Sequence, residues 1–135
     1  MSTKKKIVVI IEKSNTGFSA YADSYPVYTT GSTMNELIAN TFEAFSLYFE
    51  NTNFESSRIA FELDFKQFFQ YYKVLNSKAL AKKIGMNPTL LSQYIRGHKR
   101  PSSKQSRRIL FGINQIGQEL AEMKVIYEKE FNNGS

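Results

Sequence analysis

Four polar residues in the second half of the chain are spaced so that their side chains share one face of a helix. They occupy positions i, i+3, i+4 and i+7 of one segment and are Thr89, Ser92, Gln93 and Arg96. Hydroxyl, amide and guanidinium groups can hydrogen-bond the edges of base pairs in the DNA major groove, and the Gln93 amide suits a bidentate contact with adenine. These four residues are therefore candidates for base contacts.

The segment from Ser77 to Gly97 predicts two short helices joined by a tight turn, with the four polar residues on the second helix. Asn76 or Ser77 can cap the first helix, which ends at Gly85 because glycine adopts the left-handed conformation at low cost. Asn87 can cap the second helix, whose first residue is a proline. This pattern is typical of a helix-turn-helix, whose second helix enters the major groove.

Positive charge is concentrated in the same half of the chain. Residues 1–63 hold five Lys/Arg and seven Asp/Glu, which gives −2, whereas residues 64–135 hold thirteen and five, which gives +8. If the two short helices served only to pack against the rest of the fold, nothing would explain why no acidic residue occurs from Lys78 to Arg108. We therefore expect the second half to meet a polyanion. The residues expected to contact DNA phosphates are Asn76, Ser77, Lys78, His98, Lys99 and Arg100.

Composition excludes several kinds of chemistry. The chain has no cysteine, so structural disulfides, cysteine-ligated zinc and thiol catalysis are excluded. No apolar run is as long as a membrane span, and we expect a cytoplasmic protein with no membrane partner. His98 is the one histidine and has no second ligand near it in the sequence. The sequence therefore predicts no catalytic residue, no metal site and no cofactor.

The first half predicts a small sheet crossed by one helix, in the order β-β-β-α-β. Residues 5–23 predict a β-hairpin, a short third strand follows, and residues 58–63 predict the last strand. The helix begins at Thr33, which forms a capping-box pattern with Glu36. Its apolar stripe is expected to face the sheet and consists of Ile38, Phe42, Phe45 and Phe49. The predicted fold class is α+β, with a sheet domain at residues 1–63.

An all-α domain is predicted for residues 64–135. Asp64 and Gln67 form a second capping-box pattern, which opens a helix ending near Leu75. Ser102 and Gln105 form a third capping-box pattern. After it, six apolar residues recur at alternating steps of four and three, which is the pattern of a coiled-coil seam. They are Ile109, Ile113, Ile116, Leu120, Met123 and Tyr127. Two interpretations stay open, since the second half of the seam either meets a partner subunit or belongs to a single helix packed within the chain.

Two stretches resemble known families. Residues 64–117 resemble the Xre/Cro-type helix-turn-helix through LAKKIG, NPTLLSQYIRG and KRPS. Residues 5–63 resemble the HicB antitoxin domain through KIVVIIE, GFSAYADSYPVYTTGST and MNELIANTFEAF. Ser32 stands where HicB domains usually have Asp, and the glycine and cysteine that commonly follow their proline are absent. The order of the two stretches is that of HicB antitoxins that carry a DNA-binding domain.

This resemblance implies an antitoxin of a type II toxin–antitoxin pair. Such proteins block a small mRNA-cleaving toxin, HicA, through the N-terminal domain and repress their own operon through the C-terminal domain. The HicB domain is similar to part of a ribonuclease H fold without its nuclease activity. A slightly acidic first half suits a basic toxin, and tyrosines suit interfaces. The candidate toxin contacts are Tyr21, Tyr25 and Tyr28.

A solitary transcriptional repressor is the alternative, in which the sheet domain is an oligomerisation or effector module with no toxin partner. Either protein is expected to be a homo-oligomer, because a dimer places two recognition helices about one DNA turn apart on a palindromic site. The sequence leaves open the operator, the choice between dimer and tetramer, and the effect of a toxin on DNA binding.

Overall fold

The N-terminal part of the chain folds into a four-stranded sheet. The structure is a computed structural model that describes residues 5–133. Its strands are β1 (Ile7–Ser14), β2 (Gly17–Ala22), β3 (Tyr28–Gly31) and β4 (Ile59–Leu63). They lie in the order β3-β2-β1-β4, and β1 pairs antiparallel with β2 but parallel with β4. This parallel pair requires a crossover between β3 and β4.

Helix α1 (Met34–Tyr48) provides that crossover and covers one face of the sheet. Its buried residues are Leu37, Thr41 and Phe45, one position away from much of the stripe predicted at Ile38, Phe42, Phe45 and Phe49. Only Phe45 is buried in both sets, and Phe42 and Phe49 flank the core at its edges. The sequence pattern missed Thr41 because it is polar, but its hydroxyl donates to the Leu37 carbonyl at 2.7 Å and is satisfied inside the core.

Helix α2 (Phe65–Tyr71) follows a 3-10 turn (Ser56–Arg58) and β4, and it belongs with the sheet. The Lys13 amide donates to Gln67 Oε1 at 2.8 Å, and Gln67 Nε2 donates to the Lys13 carbonyl at 2.7 Å. The chain accordingly divides into Met1–Lys73 and Val74–Ser135. The sequence placed this boundary at residues 63–64, because the capping pattern at Asp64 reveals where α2 begins but not what its side chains bind.

The C-terminal unit is helical. Its helices are α3 (Ser77–Ile84), α4 (Pro88–Ile95), α5 (Ser103–Ala121) and α6 (Met123–Asn133). The buried residues of these four helices and the turn are Leu80, Ala81, Met86, Leu91, Tyr94 and Ile109, with Gly112. Mixed α and β content agrees with the α+β class predicted from the sequence. No helix within residues 5–133 is both long and apolar enough to cross a membrane.

Candidate nucleic-acid interface

The turn between α3 and α4 is fixed by backbone conformation and by caps. Gly85 has φ 68° and ψ 33°, the left-handed conformation that glycine adopts without a Cβ clash. The amide of the next residue, Met86, donates to the Ala81 carbonyl at 2.9 Å, and the Met86 side chain is buried. Asn87 Oδ1 then accepts from the amides of Thr89 at 2.8 Å and Leu90 at 3.3 Å. These bonds satisfy orphan backbone groups on both sides of the turn.

A side chain from α5 completes the end of α3. Arg108 Nη2 donates to the carbonyls of Ile84 at 2.8 Å and Gly85 at 2.9 Å, while its Nη1 donates to Gln105 Oε1 at 2.9 Å. A guanidinium at a helix C-terminus also opposes the negative end of the helix dipole. Sequence reasoning missed this role, because Arg108 is more than twenty residues from Ile84 and Gly85 and looks like one more surface cation.

Three polar residues of α4 and the residue that caps its C-terminal end form an outward-facing set. This outward set consists of Thr89, Ser92, Gln93 and Arg96, the residues predicted to contact bases. It lies opposite Leu91 and Tyr94, which are buried, as the spacing of the six residues on a helix requires. Thr89 and Arg96 are exposed, and Ser92 and Gln93 are half-buried. Within residues 5–133, no hydrogen bond or ion pair engages these four side chains.

A basic loop follows α4 and is tied to it through one carbonyl. The basic loop consists of His98, Lys99 and Arg100, all exposed. Gly97, just before it, has φ 78°. The amides of His98 and Lys99 both donate to the Gln93 carbonyl, at 2.9 and 3.2 Å. The backbone that carries the loop is therefore held at a fixed distance from the outward set.

The remaining predicted phosphate contacts lie at the start of α3. Asn76 uses Oδ1 to accept from the Ala79 amide at 3.0 Å, so it caps the helix and keeps its amide group as a donor. Ser77 is half-buried and Lys78 is exposed. The N-terminus of a helix attracts anions because its first amides and its dipole are positive. These three residues are thus placed where a phosphate would be favoured.

The electrostatics of the unit favour an anionic partner. From Val74 to Gln118 the chain has no Asp or Glu, whereas lysines and arginines recur throughout that segment. One of these cations, Lys83, is neutralised by Glu119 at 2.7 Å. The other lysines and arginines of the segment lie on the helices and the loop that carry the outward set, and on α5. Attraction of a polyanion to this surface would be long-ranged at low salt.

The tyrosines predicted to contact a toxin lie in two different environments. Tyr21 on β2 is paired with Tyr28 on β3, on the sheet face opposite α1, and both side chains are exposed. Tyr25 is half-buried in an aromatic cluster, with ring centroids 5.8 Å from Tyr48 and 5.1 Å from Phe49. Tyr21 and Tyr28 are thus available on an open surface, whereas Tyr25 packs within the unit.

Two carboxyl groups meet on this open face of the sheet. Burial and the neighbouring Asp64 carboxylate, in that order, raise the pKa of Glu12 above its ordinary value of 4.5. Burial and the same two carboxylates raise the pKa of Tyr21. This pairing could not be predicted from the sequence, because Glu12 and Asp64 are brought together only by the parallel register of β1 and β4.

Among residues 5–133, no group of three or more His, Cys, Asp or Glu side chains is arranged to hold a metal ion. Comparison with protein-family models, with curated proteins and with solved structures gave no significant match to this chain.

Proposed function

We propose that the C-terminal unit binds double-stranded operator DNA through a helix-turn-helix formed by α3, the turn at Gly85 and α4. The observation that carries the proposal is the outward set on α4. Four side chains able to hydrogen-bond base edges share one face there, and none of them makes a hydrogen bond or ion pair within residues 5–133. Their chemistry matches the donors and acceptors of the major groove.

In the proposed complex, α4 lies in the major groove and the basic loop contacts the backbone beside it. Gln93 pairs with adenine, and Lys99 binds a phosphate. The two hydrogen bonds to the Gln93 carbonyl keep the loop backbone at a set distance from the base contacts, so that phosphate binding fixes the register of reading.

Gln93→Ala and Lys99→Ala distinguish the two roles. Gln93→Ala should cost roughly 1–3 kcal/mol of binding free energy on the operator and relax the preference at one base pair. Lys99→Ala should weaken binding to operator and scrambled DNA about equally and lower the salt slope by about 1. Fluorescence anisotropy with DNA from the region upstream of the gene, over a range of salt concentrations, measures both effects.

Lys129→Ala is the matched control for charge, because Lys129 is an exposed lysine of the same unit on α6. It should leave both affinities within about twofold of the parent protein. Equal losses on operator and scrambled DNA for Gln93→Ala would remove this residue from base reading.

The proposal for the N-terminal unit is that it binds a small, basic, mRNA-cleaving toxin, which makes the whole protein an antitoxin that represses its own operon. Three features of the open sheet face support it. Tyr21 and Tyr28 are paired across β2 and β3 on this face. The Glu12 carboxylate is close enough to Tyr21 to raise the pKa of its hydroxyl, and the register of β1 and β4 places Glu62 on the same face. Tyrosines and carboxylates together suit a cationic partner.

Tyr28→Arg tests this surface without threatening the fold, since the Tyr28 side chain is 66% exposed. The added cation should repel a basic toxin and abolish rescue of cells that express the toxin from the neighbouring reading frame. Leu47→Arg on α1 is the control, because Leu47 is 72% exposed and lies on the helix that covers the other face. Full rescue by Tyr28→Arg would exclude this face as the toxin site.

The alternative is a solitary repressor with no toxin partner. A pull-down of the tagged protein from its native host, read by mass spectrometry, separates the two. A small basic protein in stoichiometric amounts supports the antitoxin. Recovery of only the protein itself and DNA, while the neighbouring gene is expressed, favours the solitary repressor.

A further inference from the structure

Four large side chains with mostly apolar surface are exposed where α5 passes into α6. This apolar stripe consists of Leu120, Met123, Ile126 and Tyr127, each more than half exposed. Met123, Ile126 and Tyr127 are spaced i, i+3 and i+4, so they share one face of α6. Uncovered apolar residues that are contiguous, rather than scattered, mark an interaction surface.

The stripe continues a seam whose first part is already covered. Ile109 is fully buried, Ile113 and Ile116 are half-buried, and Leu120 is exposed. The cover comes from α3, which packs against α5 at Gly112, where an added Cβ would meet Leu80 and Ile84 side chains. Helix α3 has 8 residues and α5 has 19, so α3 is too short to cover the whole length of the seam. The rest of the seam has the same apolar character, and each of its side chains is more than half exposed.

Helix α6 is short, and its described side chains are exposed. It has 11 residues, and every one of its described side chains, up to Lys129, is exposed. Isolated helices shorter than about 12–15 residues are marginal in water, and helices in proteins are stabilised mainly by burying an apolar face. A partner on the stripe would supply that burial.

We infer that the apolar stripe is the interface with a second copy of this chain, which packs its own stripe against it around a two-fold axis. The charges around the stripe favour this partner. Lys124 pairs with Glu128 at 3.5 Å and Lys83 with Glu119 at 2.7 Å, both within one chain. A strongly acidic or basic partner would find few unmatched charges here, whereas two identical stripes meet with apolar surface alone. A two-fold axis brings the same patch to both sides.

The area is of the right size for a dimer. Each of the four side chains offers on the order of 100 Å² to a partner. Stable interfaces bury about 800 Å² per partner, of which roughly 65% is apolar in homodimers. The stripe together with the open sides of Ile113 and Ile116 supplies apolar area of that order.

Ile126→Asp and Val125→Asp form a matched pair of variants. The two side chains are adjacent, β-branched and similarly exposed, at 61% and 53%, but Val125 lies on the opposite side of α6 from the stripe. Sedimentation velocity of the full chain without DNA, over a concentration series, measures the dimer dissociation constant. Ile126→Asp should raise that constant at least about tenfold, and Val125→Asp should change it less than about threefold.

A cross-linking experiment tests the same interface directly. The chain has no cysteine, so a disulfide between copies can come only from an introduced residue. Met123→Cys should form a covalent dimer under mild oxidation, and Val125→Cys should not. Both experiments omit DNA, so their outcome is independent of the proposed function.

Three outcomes would overturn the inference. A parent protein that sediments as a monomer at about 100 µM would do so, since a specific dimer with a Kd in the usual range is formed by then. An unchanged dimer dissociation constant in Ile126→Asp would also overturn it, because the dimer interface would then lie elsewhere on the chain. Equal cross-linking of Met123→Cys and Val125→Cys would show random collision rather than a defined interface.

Discussion

Gly112 has an unfavourable helix propensity but a favourable effect on packing. In the middle of α5, glycine costs about 1 kcal/mol relative to alanine in helix propensity. A Cβ at this position would, however, lie 2.4 Å from Ile84 Cγ2 and 2.8 Å from Leu80 Cδ1. The first of these atoms belongs to a stiff β-branched side chain that cannot move aside easily. Glycine is therefore what allows α5 to approach α3 this closely.

Gly112→Ala should lower the free energy of unfolding of the C-terminal unit by about 1–3 kcal/mol, because overpacking outweighs the gain in helix propensity. Gly117→Ala in the same helix should instead raise it by up to about 1 kcal/mol, since nothing lies within 4 Å of a Cβ there. Urea unfolding followed by circular dichroism compares the two. A stabilising Gly112→Ala would mean that α3 and α5 are less closely packed than described.

Glu12 gives the N-terminal unit a pH dependence opposite to that of an ordinary ion-paired carboxylate. Because burial and Asp64 raise its pKa in the folded state, the folded chain binds the proton more tightly than the unfolded chain. Ionised Glu12 therefore opposes folding. The penalty is absent below the unfolded pKa, grows as the pH rises from there, and is complete above the raised folded pKa.

Glu12→Gln should accordingly raise the melting temperature at pH 8 and have little effect at pH 3.5, where Glu12 is protonated in both states. Glu43→Gln on α1 is the control, because Glu43 is an exposed carboxylate of the same unit. Differential scanning fluorimetry from pH 3.5 to 8 shows the trend. An equal gain for both variants would point to net charge rather than to the pair with Asp64.

The three capping-box patterns show how far local sequence specifies local bonds. In each, the first residue caps as predicted, with bonds from Glu36, Gln67 and Gln105 amides to Thr33, Asp64 and Ser102 at 3.1, 3.0 and 3.2 Å. The return bond is absent from all three. Instead Glu36 accepts from Ser32, Gln67 binds the backbone of Lys13, and Gln105 accepts from Arg108. Caps follow from three-residue spacing, whereas the free end of a long side chain bonds to whatever the tertiary fold brings near it.

At the scale of elements, Arg108 shows that the end of one helix can depend on another. Three hydrogen bonds anchor its guanidinium, two of them to carbonyls at the end of α3. A charged donor to a half-buried carbonyl contributes roughly 1.5–3 kcal/mol. The turn that sets the orientation of α4 is thus held from outside the α3–turn–α4 segment.

Arg108→Met keeps most of the side-chain volume and removes the donors, and it should destabilise the unit by about 1–3 kcal/mol. Arg107→Met, one residue earlier and exposed, should have an effect within about 0.5 kcal/mol. Thermal unfolding compares the variants, and amide hydrogen exchange at Gly85 and Met86 should rise only in Arg108→Met. Matching unfolding curves for the two variants would show that the hydrogen bonds from Arg108 to the end of α3 do not stabilise the unit.

Element positions were predictable to within a few residues, because hydrophobic periodicity and turn residues are local signals. The face of α1 that packs on the sheet was predicted only in part. Phe45 is buried and Phe42 and Phe49 pack against the core as expected, but the prediction missed Leu37 and Thr41. Gly117 does not end α5, which continues to Ala121 before the break at Glu122. A single glycine lowers the stability of a helix without ending it.

At the scale of the whole molecule, the position of the boundary has a direct consequence. The chain divides after Lys73, and the Lys13 backbone depends on Gln67 to satisfy its amide and carbonyl. A cut at residue 63 would remove those partners and α2, whose Phe65 and Phe69 are buried. The sequence could not show this, because the bonds join residues fifty-four positions apart.

A fragment of residues 1–73 should therefore unfold cooperatively, whereas a fragment of residues 1–63 should lose at least about 2 kcal/mol of stability, counted from the two hydrogen bonds alone. Within the longer fragment, Gln67→Ala should reproduce part of that loss, and Gln70→Ala at an exposed position of α2 should not. Urea titration gives the free energies. Equal stability of the two fragments would mean that the N-terminal unit ends at residue 63.

The two faces of α4 carry residues with different roles, one in folding and one in the proposed DNA binding. Leu91 and Tyr94 are buried and contribute to folding, whereas the outward set lies on the other side of the helix and makes no hydrogen bond or ion pair within residues 5–133. Exchanging those four residues for other polar ones would leave the scaffold intact. If the helix reads DNA as proposed, duplicated copies of the gene could diverge in operator preference through a handful of neutral steps, and two such regulators could become insulated from each other within one genome while keeping the same fold.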